Sequence, residues 1–190
     1  EGDSREYTAF IEMKRAGTVT FDPTNFPTAA TLKTDANLGR LNITTTLGDT
    51  DGDGDFDALY SLGARSFSVW DANTGAQVFD SKNELDKKAN ELKIYDDGRS
   101  DDKGVEPESI AIGRVGSKTI AVVGMERADA FAIYDITTPT APVFIKMYKT
   151  GDAPEGIIFI PASKSPINQS LIVISSENDG LVKIYKSTKL

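Results

Sequence analysis

The chain has 190 residues, 39% hydrophobic and 26% charged, enough to bury a core in one domain or two small ones. A net charge of −8 and a pI near 4.6 make nucleic acid and anionic membrane surfaces poor partners. Cys and His are both absent, which excludes thiol and Ser–His catalysis, imidazole acid–base chemistry, haem ligation by either residue and N/S zinc sites. Any metal here is held by oxygen, which favours calcium or magnesium.

No apolar run approaches the roughly 20 residues that a membrane-spanning helix needs. Glu1 is not a translation start, so the chain is expected to be processed or part of something longer.

In chain order, Tyr7 to Met13 reads as a strand entered from Glu1-Gly2-Asp3, and Thr28 to Asp35 as two helical turns. Leu41 to Leu47 alternates apolar and polar residues, a half-buried strand. Further strands are expected near 57–62, 66–71 and 76–80, followed by an amphipathic helix over Ser81 to Leu92 with Lys87 and Lys88 on its solvated face. The next group lies near 108–113, 119–124, 130–135 and 143–148, with Asp135 to Pro142 turning into its fourth strand. A last group lies near 155–160, 170–175 and 181–186.

A repeat organises these strands. Pro107-Glu108-Ser109-Ile110-Ala111-Ile112 returns 47 positions later as Pro154-Glu155-Gly156-Ile157-Ile158-Phe159. Glu126 stands eight before Tyr134 and Glu177 eight before Tyr185; Phe67 to Asp71 matches Phe131 to Asp135. Units of roughly 45–50 residues with four short strands are propeller blades. The expected fold is therefore all-β: about three to four C-terminal blades of a larger, seven-bladed β-propeller. Residues 1–190 form one such part, with units at about 1–25 (partial), 35–80, 105–148 and 152–188, the last lacking its outer strand. Trp70, Tyr134 and Tyr185 share one repeat position, which suits core packing between blades.

Asp49-Thr50-Asp51-Gly52-Asp53-Gly54-Asp55-Phe56-Asp57 fits D-x-D-x-D-G-x-x-D. Alternating Asp on a tight turn aims hard oxygens at one centre, as calcium requires. Asp49, Asp51, Asp53 and Asp57 would ligate through side chains and Asp55 through its carbonyl. Tyr60 stands where an EF-hand would place Glu, so the ion would pin a turn between two strands. Five Asp in nine residues would repel one another without a cation.

Repeat symmetry gathers Glu108, Glu126, Glu155, Glu177 and Glu1 at one end of the propeller channel, with Arg65, Arg99, Lys103 and Arg127 among them. Three readings stay open for this face. It could hold a second Ca²⁺ or Mg²⁺ that orients a phosphate for hydrolysis, bind a ligand without chemistry, or close as a salt-bridge lattice. Asn42-Ile43-Thr44 and Asn168-Gln169-Ser170 are N-glycosylation triplets of the kind chance supplies.

LGDTDGDGDFDALYSLGARSFSVWDANTG, DDGRSDDKGVEPESIAIG, VVGMERADAFAIYDITTPTAPVFI and PEGIIFIPASKSP, with EGDSREY and DANLGRL, together resemble the bacterial choice-of-anchor I family. Relatives of that family include mesenchyme-specific cell-surface glycoproteins. The resemblance covers nearly the whole chain and implies a secreted or surface-anchored β-propeller. It departs in a short segment between Glu84 and Asp97 and in Ser109, where PEG is commoner. Some members carry alkaline-phosphatase-like or phytase-like names. Two functions follow as expectations: an extracellular or cell-surface calcium-binding scaffold, or a metal-dependent phosphoesterase. The strand count adds a partner, since both ends fall mid-blade. The remaining N-terminal blades would come from a separate chain or a cleaved precursor.

Overall fold

The computed structural model describes residues 4–7 and 9–187 and divides the chain into two compact units. One holds Glu1–Ala64 with Asp97–Lys103; the other holds Arg65–Asp96 with Gly104–Leu190. Among the described residues the architecture is all-β, with antiparallel sheets and short helices.

In the first unit, β1 (Glu6–Tyr7) pairs with β2 (Phe10–Ile11), and β3 (Met13–Arg15) with β4 (Asn42–Thr44). Helix α1 is a single turn, Ala29–Leu32. Ala16, Val19, Phe21 and Ile43 form a small core, with Phe26, Leu32, Leu41, Phe56 and Leu59 packed around it. Segment 97–103 is tied in by Asp101, whose carbonyl accepts the Asn42 amide at 2.8 Å and whose carboxylate meets Arg15 and Arg40.

Leu41 to Asp80 does not make the single four-stranded blade expected for 35–80. β4 pairs with β3, and residues 57–62 contribute only an isolated bridge, Ser61 to Ile43. The backbone groups that would extend a ladder are engaged elsewhere. Asp57 and Ala58 both donate to the Gly48 carbonyl, and Phe56 donates to Thr20 and accepts from Asp22, so contact with β4 is confined to the Ser61 bridge and the bond from Thr44 to Tyr60 beside it. The unit boundary then falls after Ala64.

The second unit opens with β5 (Ser68–Trp70) paired to β6 (Gln77–Asp80), then α2 (Glu84–Glu91). Strands β7 (Pro107–Val115), β8 (Lys118–Met125), β9 (Ala130–Asp135) and β10 (Val143–Lys149) form a four-stranded meander. β11 (Pro154–Ile160), β12 (Leu171–Ser176) and β13 (Val182–Lys186) form a three-stranded one. These seven strands lie within two residues of their expected positions.

The four-stranded sheet is apolar on both faces. Ala121, Val123, Ala132 and Tyr134 pack with Phe67, Leu85 and Ala89 on one side. Ile120, Val122, Phe131 and Ile133 meet Ile157, Phe159, Ile172, Ile174 and Tyr185 of the three-stranded sheet on the other. Tyr134 is fully buried and donates to Glu84 at 3.0 Å; burial, then the Glu84 charge, raises its phenol above the ordinary range. Trp70 departs from its expected core role: 59% of its surface is exposed, while Tyr185 is half-buried.

Close approach of the two sheets depends on glycine. A Cβ on Gly113 would lie 2.2 Å from the Phe159 ring, and one on Gly124 would lie 2.9 Å from Ile157. Gly113→Ala is therefore expected to cost about 1–3 kcal/mol in urea denaturation, the range for an overfilled core. The penalty should shrink when Phe159→Ala is already present; an unchanged penalty would mean that the ring is not what Gly113 accommodates.

Among the carboxylates that contribute to acid stability, two are held well below the ordinary range, one in each unit. Hydrogen bonding to Arg5, first, and Thr44 brings buried Glu12 from the ordinary 4.5 to about 2, and Thr137 with Lys118 brings Asp135 from 3.8 to about 2. The folded chain thus binds fewer protons than the unfolded one below about pH 4.5. Stability these groups contribute is full above that pH and is lost as the pH falls through about 2. Glu12→Gln should flatten the acid limb of a stability-versus-pH curve; an unaltered limb would exclude Glu12 as its source.

Candidate cation sites

The aspartate loop is built by its own backbone. Gly48 turns at φ +106°, and a Cβ there would strike the Ala58 carbonyl at 2.2 Å, so the loop can close only on glycine. Asp49 accepts from the Gly52 amide at 2.7 Å and the Gly54 amide at 3.1 Å. Asp51 accepts from Asp53 and Asp53 from Asp55, at 3.3 and 3.0 Å. Each carboxylate is thereby fixed on the loop that carries it.

The five aspartates separate into two groups. Oxygens of Asp49, Asp51 and Asp53 lie within 4.8 Å of one another, all on exposed residues. Asp55 and Asp57 converge instead with Asp22, again within 4.8 Å. Asp57 also accepts from Thr50 (amide 2.8 Å, hydroxyl 2.6 Å) and from Asn25 at 3.3 Å, and the Thr50 bonds lower its pKa. Asp55 moves the other way, raised by burial and then by the charges of Asp53, Asp22, Asp57 and Asp51. Calcium–oxygen bonds near 2.4 Å place ligand atoms at most about 4.8 Å apart, a spacing both trios meet. Asp22 escaped sequence reasoning because it stands 27 positions before the motif begins.

In the second unit one backbone device occurs twice. Glu106 and Ala153 are both left-handed, at φ +52° and +53°, and each precedes a proline. Their carbonyls accept the amides of Glu126 (3.0 Å) and Glu177 (2.8 Å). A register shift follows in both first strands, at Glu108 between Pro107 and Ser109 and at Glu155 between Pro154 and Gly156. Bulged strands re-aim side chains. The result is convergence: oxygens of Glu106, Glu108 and Glu126 lie within 4.8 Å of one another, as do those of Glu126, Glu155 and Glu177.

Glu108, Glu126, Glu155 and Glu177 therefore share a region centred on Glu126. Glu1 lies outside the described residues. Glu106 was not foreseen; the Ala at its repeat position, 153, hides the role of the site from pattern reading. It is fully buried and meets Arg127 Nε at 3.3 Å, while Arg127 Nη1 meets Glu126 at 2.7 Å. Arg127 thus bridges two buried carboxylates.

The other expected cations have partners of their own. Arg65 donates to Asp86 at 3.4 Å and to the Tyr95 hydroxyl at 3.3 Å. Arg99 pairs with Asp102 at 3.4 Å, and it and Lys103 belong to the first unit. Chemically, the glutamate region can hold a hard cation or neutralise itself through arginine.

Residues 1–139 match the Choice-of-anchor I domain family. The chain is also similar to Gigasin-3a of Magallana gigas, 31% identical over 185 residues, covering 80% of this chain and 65% of that protein. It thus spans a little under two thirds of that relative's length. No solved structure matches it.

Arg127→Met removes the guanidinium from two buried carboxylates. It is expected to lower stability by about 1.5–3 kcal/mol at neutral pH, the range for hydrogen bonds to charged groups. The loss should narrow when Glu106→Gln and Glu126→Gln are already present, since the amides leave no buried charge to balance. An equal loss in that background would assign Arg127 a packing role alone.

Proposed function

Because the chain belongs to the choice-of-anchor I family, we propose that it is an extracellular or cell-surface binding and scaffold module that holds calcium in its aspartate loop. Association of the family with the cell surface supports the location. Among the described residues no helix is long and apolar enough to cross a membrane.

One observation carries the calcium reading. Gly48, Gly52 and Gly54 take left-handed turns that hold five aspartates in two trios, with Asp22 completing the second. Such repulsion between acids is offset by a divalent ion. Asp49, Asp51 and Asp53 would ligate at the loop tip, and Asp22, Asp55 and Asp57 at its base. Bound calcium would neutralise the loop and pin its turn. The glutamate region of the second unit is a further candidate for Ca²⁺ or Mg²⁺. Binding is favoured there over phosphate hydrolysis, since Arg127 is engaged by Glu106 and Glu126 rather than held toward a phosphate. The meanders β7–β10 and β11–β13 are read as successive blades of a propeller whose other blades come from another segment or chain.

Calcium titration by calorimetry, with thermal unfolding in chelator, tests the loop. Asp51→Ala with Asp53→Ala should abolish the tightest site and lower the calcium-dependent rise in melting temperature. A melting temperature indifferent to chelator in the unaltered protein would sink the reading.

A further inference from the structure

The three-stranded sheet has a second apolar face. Antiparallel register lines up Gly156–Ser175–Val182, Ile158–Val173–Ile184 and Ile160–Leu171–Lys186 as three cross-strand rows. Ile158 is 58% exposed, and Val182 and Ile184 are each 65% exposed. Neighbouring β-branched side chains left in water at this density mark an interface.

The chain itself indicates what covers such a face. By repeat position these rows correspond to Ser109–Gly124–Phe131, Ala111–Val122–Ile133 and Gly113–Ile120 of the four-stranded sheet. That face is covered by β11–β13, with Ile157 over Gly124 and Phe159 over Gly113. The two faces differ in one decisive way. Gly113, which makes room for the Phe159 ring, is replaced by Ile160, and Gly124 is replaced by Ser175. A hole has become a knob.

We infer that the Ile158–Ile184 face seats a further antiparallel sheet in the way β11–β13 seats on β7–β10. The incoming sheet carries a small residue where β11 carries Phe159. This deepens the blade reading and rests on it, but does not depend on calcium. A second copy is the poorer occupant. The covering face of its own three-stranded sheet, with Ile157 and Phe159, is already occupied by its four-stranded sheet.

The test places the photo-cross-linker p-benzoylphenylalanine at position 158, and separately at 160, in the cells that make the protein. Cross-linked peptides are then read by mass spectrometry. Position 158 should capture a segment outside residues 1–190 with apolar residues at alternate positions. Position 160 should capture Gly, Ala or Ser of the same sheet. Ile158→Lys points into solvent in this chain, so its melting temperature should stay unchanged while cross-linking from 160 falls at least tenfold. Cross-links between two copies of this face, cross-links to lipid or to a chain without strand periodicity, or none from either position, would each overturn the inference. Electron micrographs of the same assembly separate this result from the blade reading: a ring without the expected cross-links removes the seating alone, whereas the absence of a ring removes the blades as well.

Discussion

The glutamate region depends on a left-handed residue placed just before the first strand of each meander. An L-residue at φ near +50° costs about 1–2 kcal/mol relative to its ordinary basins. Glu106 and Ala153 both take it, and each then gives its carbonyl to the amide that follows the second strand. The turn and the bonded amide together fix where β7 meets β8 and where β11 meets β12. A proline follows each time, restricting the strained residue further. The bulges at Glu108 and Glu155 follow from the same entry, so one constraint sets both the ladder register and the direction of the carboxylates.

Burial then separates the two copies of this device. At position 153 the left-handed residue is Ala, and its small side chain fits the buried site without charge. At 106 it is Glu, equally buried, and a buried carboxylate requires a counter-charge. Arg127 supplies one and reaches Glu126 as well, so the entry to the four-stranded sheet is electrostatically cross-braced. At the equivalent position the second copy has Asn178, which donates to Asp152 at 3.1 Å instead. The same backbone carries an ion-paired network in one sheet and amide-to-carboxylate hydrogen bonds in the next.

Legibility in the sequence followed how locally each element is determined. β7 to β13 alternate apolar and polar or run as β-branched segments between Gly, Asp and Asn turns, so period two located them. Glu108, Glu126, Glu155 and Glu177 were readable because the repeat carries them. β1 to β4 were harder. They are two or three residues long, and their partners are set by the Asp101 and Glu12 contacts rather than by pattern. The missing ladder at 57–62 reflects backbone groups drawn into closing the aspartate loop, a competition that alternation does not register. Asp22 and Glu106 became site residues only through tertiary proximity.

The two acidic regions differ in what they need. In the glutamate region a guanidinium already lies between two of the acids, so a cation arriving there competes with Arg127 and gains less. In the aspartate loop the carboxylates mostly accept from backbone amides, from Thr50 and from Asn25, none of which carries a full charge. Hydrogen bonds of that kind orient the acids without neutralising them. Burial first, and then the charges of Asp53, Asp22, Asp57 and Asp51, raise the pKa of Asp55. Charge balance therefore points the stronger demand for a divalent ion at the aspartate loop. Because that loop draws its closing hydrogen bonds from 57 and 58 and leaves no ladder over 57–62, an ion bound there would act on the stability of the first unit before it acted on any ligand.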